Sequence, residues 1–134
     1  MSAPHLLPVR VYYEDTDFSG LVYHASYLRF LERGRTELLR AAGVDQSVLH
    51  AGGEGLFFAV RRMTIDWLVP ARMDDVLAVE TRTAEVRGAS IVIAQRILRD
   101  AQVLLTADVR VAALAGGRPA RLPDALRAIL EGRG

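Results

Sequence analysis

Four long segments with alternating apolar residues lie in the C-terminal part of the chain, and they limit the folds that it can adopt. The first runs from Phe57 to Val69 and stops before Pro70. Six of its residues are predicted to share one face, with Arg61 as the exception: Phe57, Ala59, Met63, Ile65, Trp67 and Val69. The other segments are Val76 to Val86, Ala89 to Leu98 and Val103 to Ala113. Strands of about ten residues exceed the usual ~5–6, which favours a curved sheet.

Shorter elements and one long helix complete the pattern. Val9 to Tyr13 has the composition of a strand, and a helix is predicted from Val22 to Ala42 with Gly43 as its C-terminal cap. Gly34 inside this helix costs ~1 kcal/mol relative to alanine, so it reflects either close packing on a sheet or a neutral substitution. Asp124 to Leu130 is predicted as a short second helix. The apolar stripe of the long helix recurs at helical spacing: Ala25, Leu28, Leu31, Leu38 and Ala42.

The order of these elements is strand, long helix and then a meander of antiparallel strands. It predicts an α+β fold in which one helix lies on one sheet. Residues 44–56 end in Ala-Gly-Gly-Glu-Gly and are predicted to form a loop. The 134 residues are predicted to form one domain, over residues 1–134. Because one helix cannot cover a sheet of such long strands, a second subunit is expected to cover the rest.

Composition and motifs argue against several kinds of chemistry. The chain has no cysteine, which excludes disulfides, thiolate nucleophiles and zinc–thiolate sites. Its three histidines, His5, His24 and His50, do not have metal-ligand spacing. Neither a glycine-rich phosphate cradle nor the Gly-x-Ser-x-Gly elbow of serine hydrolases is present. The sequence therefore predicts no metal and no cofactor.

Charge and hydropathy bear on partners and location. The formal net charge of +1 gives no general attraction to nucleic acid or anionic lipid, so no nucleic-acid partner is predicted. No apolar run approaches the ~20 residues needed to span a membrane. The N-terminal residues MSAPHLLPVR do not have the basic start and apolar stretch of a secretory signal. A cytoplasmic location is expected.

The densest polar cluster is the segment YEDTDFSGLVYHASY at residues 13–27, with three carboxylates directly before the predicted helix. Such carboxylates often only cap a helix, where the dipole stabilises them. A helix cap requires one acidic residue, but this segment has three, and His24 follows them. Asp15 and Asp17 can therefore differ, with one capping or pairing with an arginine while the other faces a cavity. A carboxylate beside free helix N–H groups can drive hydrolysis, and thioesters suit it because the thiolate leaves easily.

The segment VRVYYEDTDFSGLVYHASYLRFLERGRTELLR closely resembles the N-terminal motif of YbgC-type acyl-CoA thioesterases. These enzymes are encoded near the Tol–Pal envelope system and belong to the 4-hydroxybenzoyl-CoA thioesterase branch of the hotdog superfamily. The resemblance continues through FFAVRRMTIDWLVPARMDDVLAVET and VRGASIVIAQRIL, and covers nearly all of residues 8–112. It implies a hotdog fold, in which about five curved strands wrap a long helix. It also implies hydrolysis of acyl-CoA, homodimers with joined sheets, dimers of dimers, and an active site at the dimer interface.

The same resemblance implies roles for particular residues. By position in the motif, Asp17 is the catalytic carboxylate, acting as general base or as nucleophile, and Tyr13 and His24 accompany it in catalysis. The backbone N–H near His24 is the implied oxyanion donor. Phe18 and Ser19 stand where the family pattern has a small Ala-Gly pair. They add bulk beside the carboxylate, which can alter the acyl preference.

Substrate binding requires ligands for the phosphates of coenzyme A, and arginine forks suit phosphate. Arg61, Arg62, Arg87 and Ser90 are the candidates, although surface arginines are common. Arg87 lies in a predicted turn where the backbone can approach a pyrophosphate. Glu32 on the long helix either pairs with another exposed side chain or lines the pocket of a second subunit.

Two alternative functions stay open from the sequence alone. Hotdog enoyl-CoA hydratases also use an Asp and a His on one loop–helix segment, but the histidine follows at a shorter interval than Asp17 to His24. A non-catalytic module that binds acyl-CoA or acyl carrier protein would not need Asp17. The acyl chain and the carrier, coenzyme A or acyl carrier protein, are not determined by the sequence.

Overall fold

The structure is a computed structural model that describes residues 3–44 and 55–132. Most of the predicted loop over 44–56, including His50, lies outside the described residues. In chain order the elements are β1 (His5–Arg10), a 3₁₀ turn (Tyr13–Asp15), α1 (His24–Ala41), β2 (Phe57–Trp67), β3 (Val76–Val86), β4 (Ser90–Arg99), β5 (Gln102–Ala115), β6 (Arg118–Pro119) and α2 (Asp124–Leu130). Except at β1, the predicted helices and strands are present with ends within two residues of the prediction.

All six strands belong to one antiparallel sheet with the order β1-β3-β4-β5-β2, and β6 pairs with β5. Helix α1 lies against β1, β3 and β4 on the inner face of the curved sheet. The predicted α+β arrangement, with one helix on one sheet, is confirmed. Strand β2 is an edge of the sheet, and its position becomes important for the site.

The core lies between α1 and the sheet. The predicted apolar stripe is confirmed at Leu31 and Leu38 but was wrong at Leu28, which is 39% exposed because the buried face of the helix runs through Phe30 and Leu31 instead. Phe30 and Leu31 of α1 are fully buried, and burial of such side chains contributes roughly 1.5–3 kcal/mol each. Ile97 of β4 and Val109 of β5 belong to the same buried apolar cluster and contribute to it from the sheet. The helix ends as predicted, because Gly43 has a φ of +85°, the left-handed conformation that terminates helices.

Gly34 marks the closest approach of α1 to the sheet. A Cβ atom at this position would lie 2.7 Å from the Oγ1 of Thr81 and 2.7 Å from a methyl carbon of Val79. The buried side chain of Gln95 bridges the two layers, since its Nε2 donates to the carbonyl of Leu31 and to the Oγ1 of Thr81, both at 2.9 Å. Of the two explanations for this glycine, close packing is therefore correct.

Strand β2 differs from its predicted alternation because it contains a β-bulge. Phe58 pairs with Ala113 and Val60 with Val111, but beyond the register shift Met63 pairs with Val109. These three β5 residues are all buried, so Phe58, Val60 and Met63 share the inner face. The prediction that Phe57 and Ala59 lie on that face was wrong, because the extra residue at Arg61 reverses the alternation.

The first strand also lies earlier than predicted. Val9 to Tyr13 was expected, but β1 covers His5–Arg10 and pairs with β3. The chain leaves the sheet because the carboxylate of Asp15 accepts the Tyr12 N–H at 2.9 Å, which closes the 3₁₀ turn. Val11 still exchanges backbone hydrogen bonds with Asp74 and Asp75, so the local side-chain bond replaces strand pairing from Tyr12 onward.

Within the described ranges, neither helix has both the length and the hydropathy needed to cross a membrane.

Candidate active site

A tight loop between the 3₁₀ turn and α1 presents Asp17 to solvent. The Asp17 N–H donates to the carbonyl of Leu21 at 2.9 Å, and the Gly20 N–H donates to the carbonyl of Asp17 at 3.0 Å. Gly20 has a φ of +83°, which a residue with a side chain adopts only with strain. A bridge between Thr16 and Val22 closes the base of the loop. The backbone of Asp17 is therefore held while its carboxylate stays exposed.

The second acid of the cluster, Asp15, has a structural role. Its side chain is buried and accepts from the N–H of Tyr12 at 2.9 Å and from Arg29 at 3.4 Å. Its carbonyl accepts from the Tyr23 N–H and from the Ser26 hydroxyl, so it also fixes the start of α1. One acid anchors the helix and pairs with an arginine while the other is exposed, as expected from the sequence.

The electrostatic surroundings of Asp17 favour its ionised form. The Ser19 hydroxyl donates to Oδ1 of Asp17, and the Ser19 N–H donates to the same oxygen at 2.8 Å. These two bonds, the hydroxyl bond first, hold the pKa of the Asp17 carboxyl below its ordinary value of 3.8, and the field of His24 acts in the same direction. Asp17 is thus a carboxylate throughout the neutral pH range.

Asp17 and His24 line one open cleft of about 330 Å³, which we call the Asp17 cleft. Tyr27 forms its wall, and its ring meets Trp67 at a centroid distance of 5.4 Å. His24 meets the same indole edge-on at 6.4 Å. The remaining lining comes from Leu21, Val22, Leu68, Val69, Pro70 and Leu104. The carboxylate therefore lies at the rim of an apolar cleft rather than in open solvent alone.

The N-terminus of α1 supplies hydrogen-bond donors near this cleft. Within the described part of the chain, the N–H groups of His24 and Ala25 have no hydrogen-bond acceptor. Such groups at the first turn of a helix carry partial positive charge and stabilise an oxyanion. A carboxylate, an imidazole and free N–H donors are thus collected within one loop–helix junction.

Sequence reasoning underestimated two aromatic residues of the cleft. Tyr27 and Trp67 would ordinarily be interpreted as packing residues, but Trp67 is 50% exposed and both line the cleft. The hydroxyl of Tyr27 accepts the Ala71 N–H at 2.9 Å, and burial raises the pKa of Tyr27. The spacing of three residues from His24 to Tyr27, on one side of a helix, is the signal that could have identified the tyrosine.

Tyr13 does not join this group in a single chain. Its side chain is 78% exposed in the 3₁₀ turn, and it is not among the residues that line the Asp17 cleft. Its implied part in catalysis stays a prediction.

The predicted coenzyme A ligands lie far from Asp17 in the same chain. Ser90 is the first residue of β4. Trp67, at the end of β2, and Ile97 of β4 both pair with Leu105 of β5, so Trp67 and Ile97 lie at the same level of the sheet. Seven residues of strand separate these levels, about 23 Å at ~3.3 Å per residue. Arg87, in the adjoining turn, forms an ion pair with Glu85 at 3.1 Å.

The other predicted ligands lie along the β2 side of the molecule. Arg61 and Arg62 are exposed at the bulge in the middle of β2. Glu32 borders a smaller cavity of about 90 Å³ between α1 and the sheet, together with Arg35 and with Phe58 and Val60 of β2. The structure therefore does not gather these residues around Asp17 within one chain.

The fold and the loop–helix site together define a class of hotdog thioesterases. The sequence profile of the thioesterase-like superfamily matches residues 11–130, and the chain belongs to this superfamily. The acyl-CoA thioesterase YbgC of Haemophilus influenzae is 46% identical over 123 residues, which cover 90% of each chain. Within the superfamily, the chain is a member of the YbgC-type acyl-CoA thioesterases, as its N-terminal motif indicated.

Solved structures agree with this assignment. A probable thioesterase from Bartonella henselae superposes with a TM-score of 0.87 and 47% identity, over 90% of this chain and 100% of that one. A thioesterase from Thermus thermophilus, complexed with coenzyme A and Zn, superposes with a TM-score of 0.81 and 27% identity, over 96% and 92% of the two chains. In this protein, no group of three or more His, Cys, Asp or Glu side chains in the described ranges could hold a metal ion.

Proposed function

We propose that the protein hydrolyses acyl-CoA to a free acid and coenzyme A at the Asp17 cleft. The observation that carries this proposal is that an exposed, ionised carboxylate lies at one apolar cleft with His24, the first residue of α1, whose backbone N–H has no acceptor among the described residues. The apolar walls suit an acyl chain, and the polar rim suits the thioester. Two relatives support the substrate, one named as an acyl-CoA thioesterase and one bound to coenzyme A.

The proposed reaction begins with the thioester carbonyl oxygen near the N–H groups of His24 and Ala25. The Asp17 carboxylate then either attacks the carbonyl carbon or removes a proton from a water molecule that attacks it. The N–H donors stabilise the negative charge that forms on the carbonyl oxygen. Collapse of the tetrahedral species breaks the carbon–sulfur bond and releases the thiolate. In the nucleophile route, water then cleaves the mixed anhydride and regenerates Asp17.

His24 is proposed to assist either route. Its ring stands on the first residue of α1, at the same cleft as Asp17, and Trp67 meets its edge. From there it can orient the attacking water or give a proton to the departing thiolate. Because a thiolate is a good leaving group, this contribution is expected to be smaller than that of the carboxylate.

We further propose that a second copy of the chain completes the site. The outer edge of β2 has no neighbouring strand within residues 3–44 and 55–132, and β2 exposes Val60 and Trp67. Antiparallel pairing of two β2 strands about a two-fold axis near Arg62 brings the Trp67 end of one copy beside the Phe57 end of the other. The Asp17 cleft of one copy then adjoins the cavity at Glu32 and the turn at Arg87 of the second copy. This arrangement accounts for the position of Ser90 and the adjoining Arg87, about 23 Å along the sheet from the Trp67 level within one chain.

A complementation experiment tests the shared site. Asp17→Asn and Arg87→Glu are expected to be weakly active alone, whereas a co-expressed equal mixture should regain about one quarter of wild-type activity, because half the dimers contain one intact site. Sedimentation should give a mass of at least twice the 14.7 kDa of one chain. Arg82→Glu on β3, away from β2, is the matched charge-reversal control and should keep full activity.

Two results would contradict this composite site. The first is a monomeric mass for the active enzyme. The second is the absence of recovery in mixed oligomers whose parent variants are both folded and both inactive. Full activity of Arg87→Glu by itself would instead remove Arg87 from the proposed substrate ligands.

The activity itself is tested by free-thiol release from acyl-CoAs of different chain length. Catalytic release of one thiol per thioester is expected, and the same panel identifies the preferred acyl group. Tight binding without thiol release would favour the binding-module alternative. Loss of an enoyl double bond without thiol release would favour the hydratase. Assembly of dimers into tetramers, an acyl-carrier-protein substrate and a cytoplasmic location stay predictions.

A further inference from the structure

The two donors of Ser19 converge on one oxygen of Asp17. The backbone N–H of Ser19 lies 2.8 Å from Oδ1, and the Ser19 hydroxyl makes a short hydrogen bond to the same atom. The Leu21 N–H approaches the Ser19 oxygen at 3.4 Å, as a weak donor. Because this N–H faces a lone pair of the hydroxyl, the hydroxyl proton is directed towards Asp17.

This arrangement makes the two carboxylate oxygens unequal. Oδ1 accepts both donors, whereas Oδ2 has no hydrogen-bond donor among the described residues. Two donors on one oxygen also restrict rotation of the carboxylate about its last bond. Oδ2 is therefore the oxygen with lone pairs available to a carbonyl carbon or to a water molecule.

We propose that Ser19 is a positioning residue that holds Oδ1 of Asp17 and leaves Oδ2 as the reacting oxygen. The inference rests on the proposed function of Asp17. It also explains what the departure at residues 18–19 does in this chain, because the Ala-Gly pair of the family pattern contains no hydroxyl. A backbone N–H alone fixes one hydrogen bond, and the hydroxyl adds a second from another direction.

Other groups near Asp17 do not replace this contact. His24 and Tyr27 are the titratable side chains that line the cleft with Asp17. The Tyr27 hydroxyl already accepts a hydrogen bond from the Ala71 N–H. The backbone of Arg72 pairs with that of Leu21 in an isolated β-bridge. The hydrogen bonds from Ser19 lower the pKa of the Asp17 carboxyl more than the field of His24 does.

The test compares Ser19→Ala with Ser19→Thr, which keeps the hydroxyl, in the full-length protein. In Ser19→Ala, the carbon-13 NMR titration of the Asp17 carboxyl should move upward in pH, towards the ordinary pKa of 3.8, because a bond to the ionised form is lost. At pH 7, where Asp17 is ionised in both variants, kcat for acyl-CoA should fall about tenfold with KM within about twofold, since orientation rather than binding is lost. Ser19→Thr should restore the titration and kcat.

Three results would overturn the proposal: an unchanged carboxyl titration in Ser19→Ala, an unchanged kcat, or equal damage in Ser19→Thr, which would indicate a role in loop shape only. The titration does not depend on catalysis. If Asp17→Asn hydrolysed acyl-CoA normally, the function proposed for Asp17 would fail while the titration still reported the Ser19 contact. The two failures are therefore distinguishable.

Discussion

Replacement of Asp17 by Asn is expected to reduce kcat for acyl-CoA hydrolysis by about a thousandfold or more, because a neutral amide neither attacks a carbonyl nor removes a proton from water. The change is nearly isosteric, and the amide oxygen can still accept the donors of Ser19. Asp17 is exposed, so stability should be almost unaffected. Thiol release gives kcat, and calorimetry with a non-hydrolysable acyl-CoA thioether gives the retained affinity.

The matched control is Glu14→Gln, which removes a neighbouring exposed carboxylate from the 3₁₀ turn. Its kcat should stay within about twofold of wild type, because surface substitutions away from a site have small effects. Asp15→Asn is unsuitable, because the buried Asp15 carboxylate closes the 3₁₀ turn and pairs with Arg29. An Asp17→Asn variant that turned over as fast as the parent would remove the carboxylate from the mechanism.

Gly34→Ala is expected to lower the free energy of unfolding by about 2 kcal/mol, although alanine is the better helix former by ~1 kcal/mol. The new methyl group would lie 2.7 Å from atoms of Val79 and Thr81 and 3.0 Å from the Nε2 of Gln95. Val79 and Thr81 are β-branched, fully buried and held in β3, so they cannot rotate away. Urea denaturation followed by circular dichroism measures the loss.

A double-mutant cycle separates crowding from other causes. In a Val79→Ala background one of the two closest contacts is absent, so Gly34→Ala should cost clearly less there than in the wild type. Equal costs in the two backgrounds, or a gain in stability from Gly34→Ala alone, would show that α1 does not approach the sheet this closely.

The sequence predicted most of the fold because the relevant signals are local. A period of two identifies β3, β4 and β5, and a period near 3.6 identifies α1, whichever neighbours they meet. The bulge at Arg61 was not predictable in the same way. Its position depends on which β5 residues oppose Val60 and Met63, and that register is a property of two paired strands.

The candidate site shows the same division. The motif placed Asp17 and His24 on one loop–helix junction, and the structure places both at one cleft. It did not reveal that Trp67, about forty residues further along the chain than His24, forms the opposite wall. Nor did it reveal that Arg87 lies at the far end of the sheet, because distance along a strand becomes distance in space only once the strands pair.

By itself, the sequence determined which segments become the two helices and strands β2 to β5, which chemistry is available and where the carboxylate lies relative to α1, since these follow from residue type and short-range spacing. Only the tertiary structure decided which oxygen of Asp17 is occupied, which aromatic rings enclose the cleft and which edge of the sheet is open. Those features arise from contacts between residues distant in the chain, or from the direction of single hydrogen bonds, and a linear pattern contains neither.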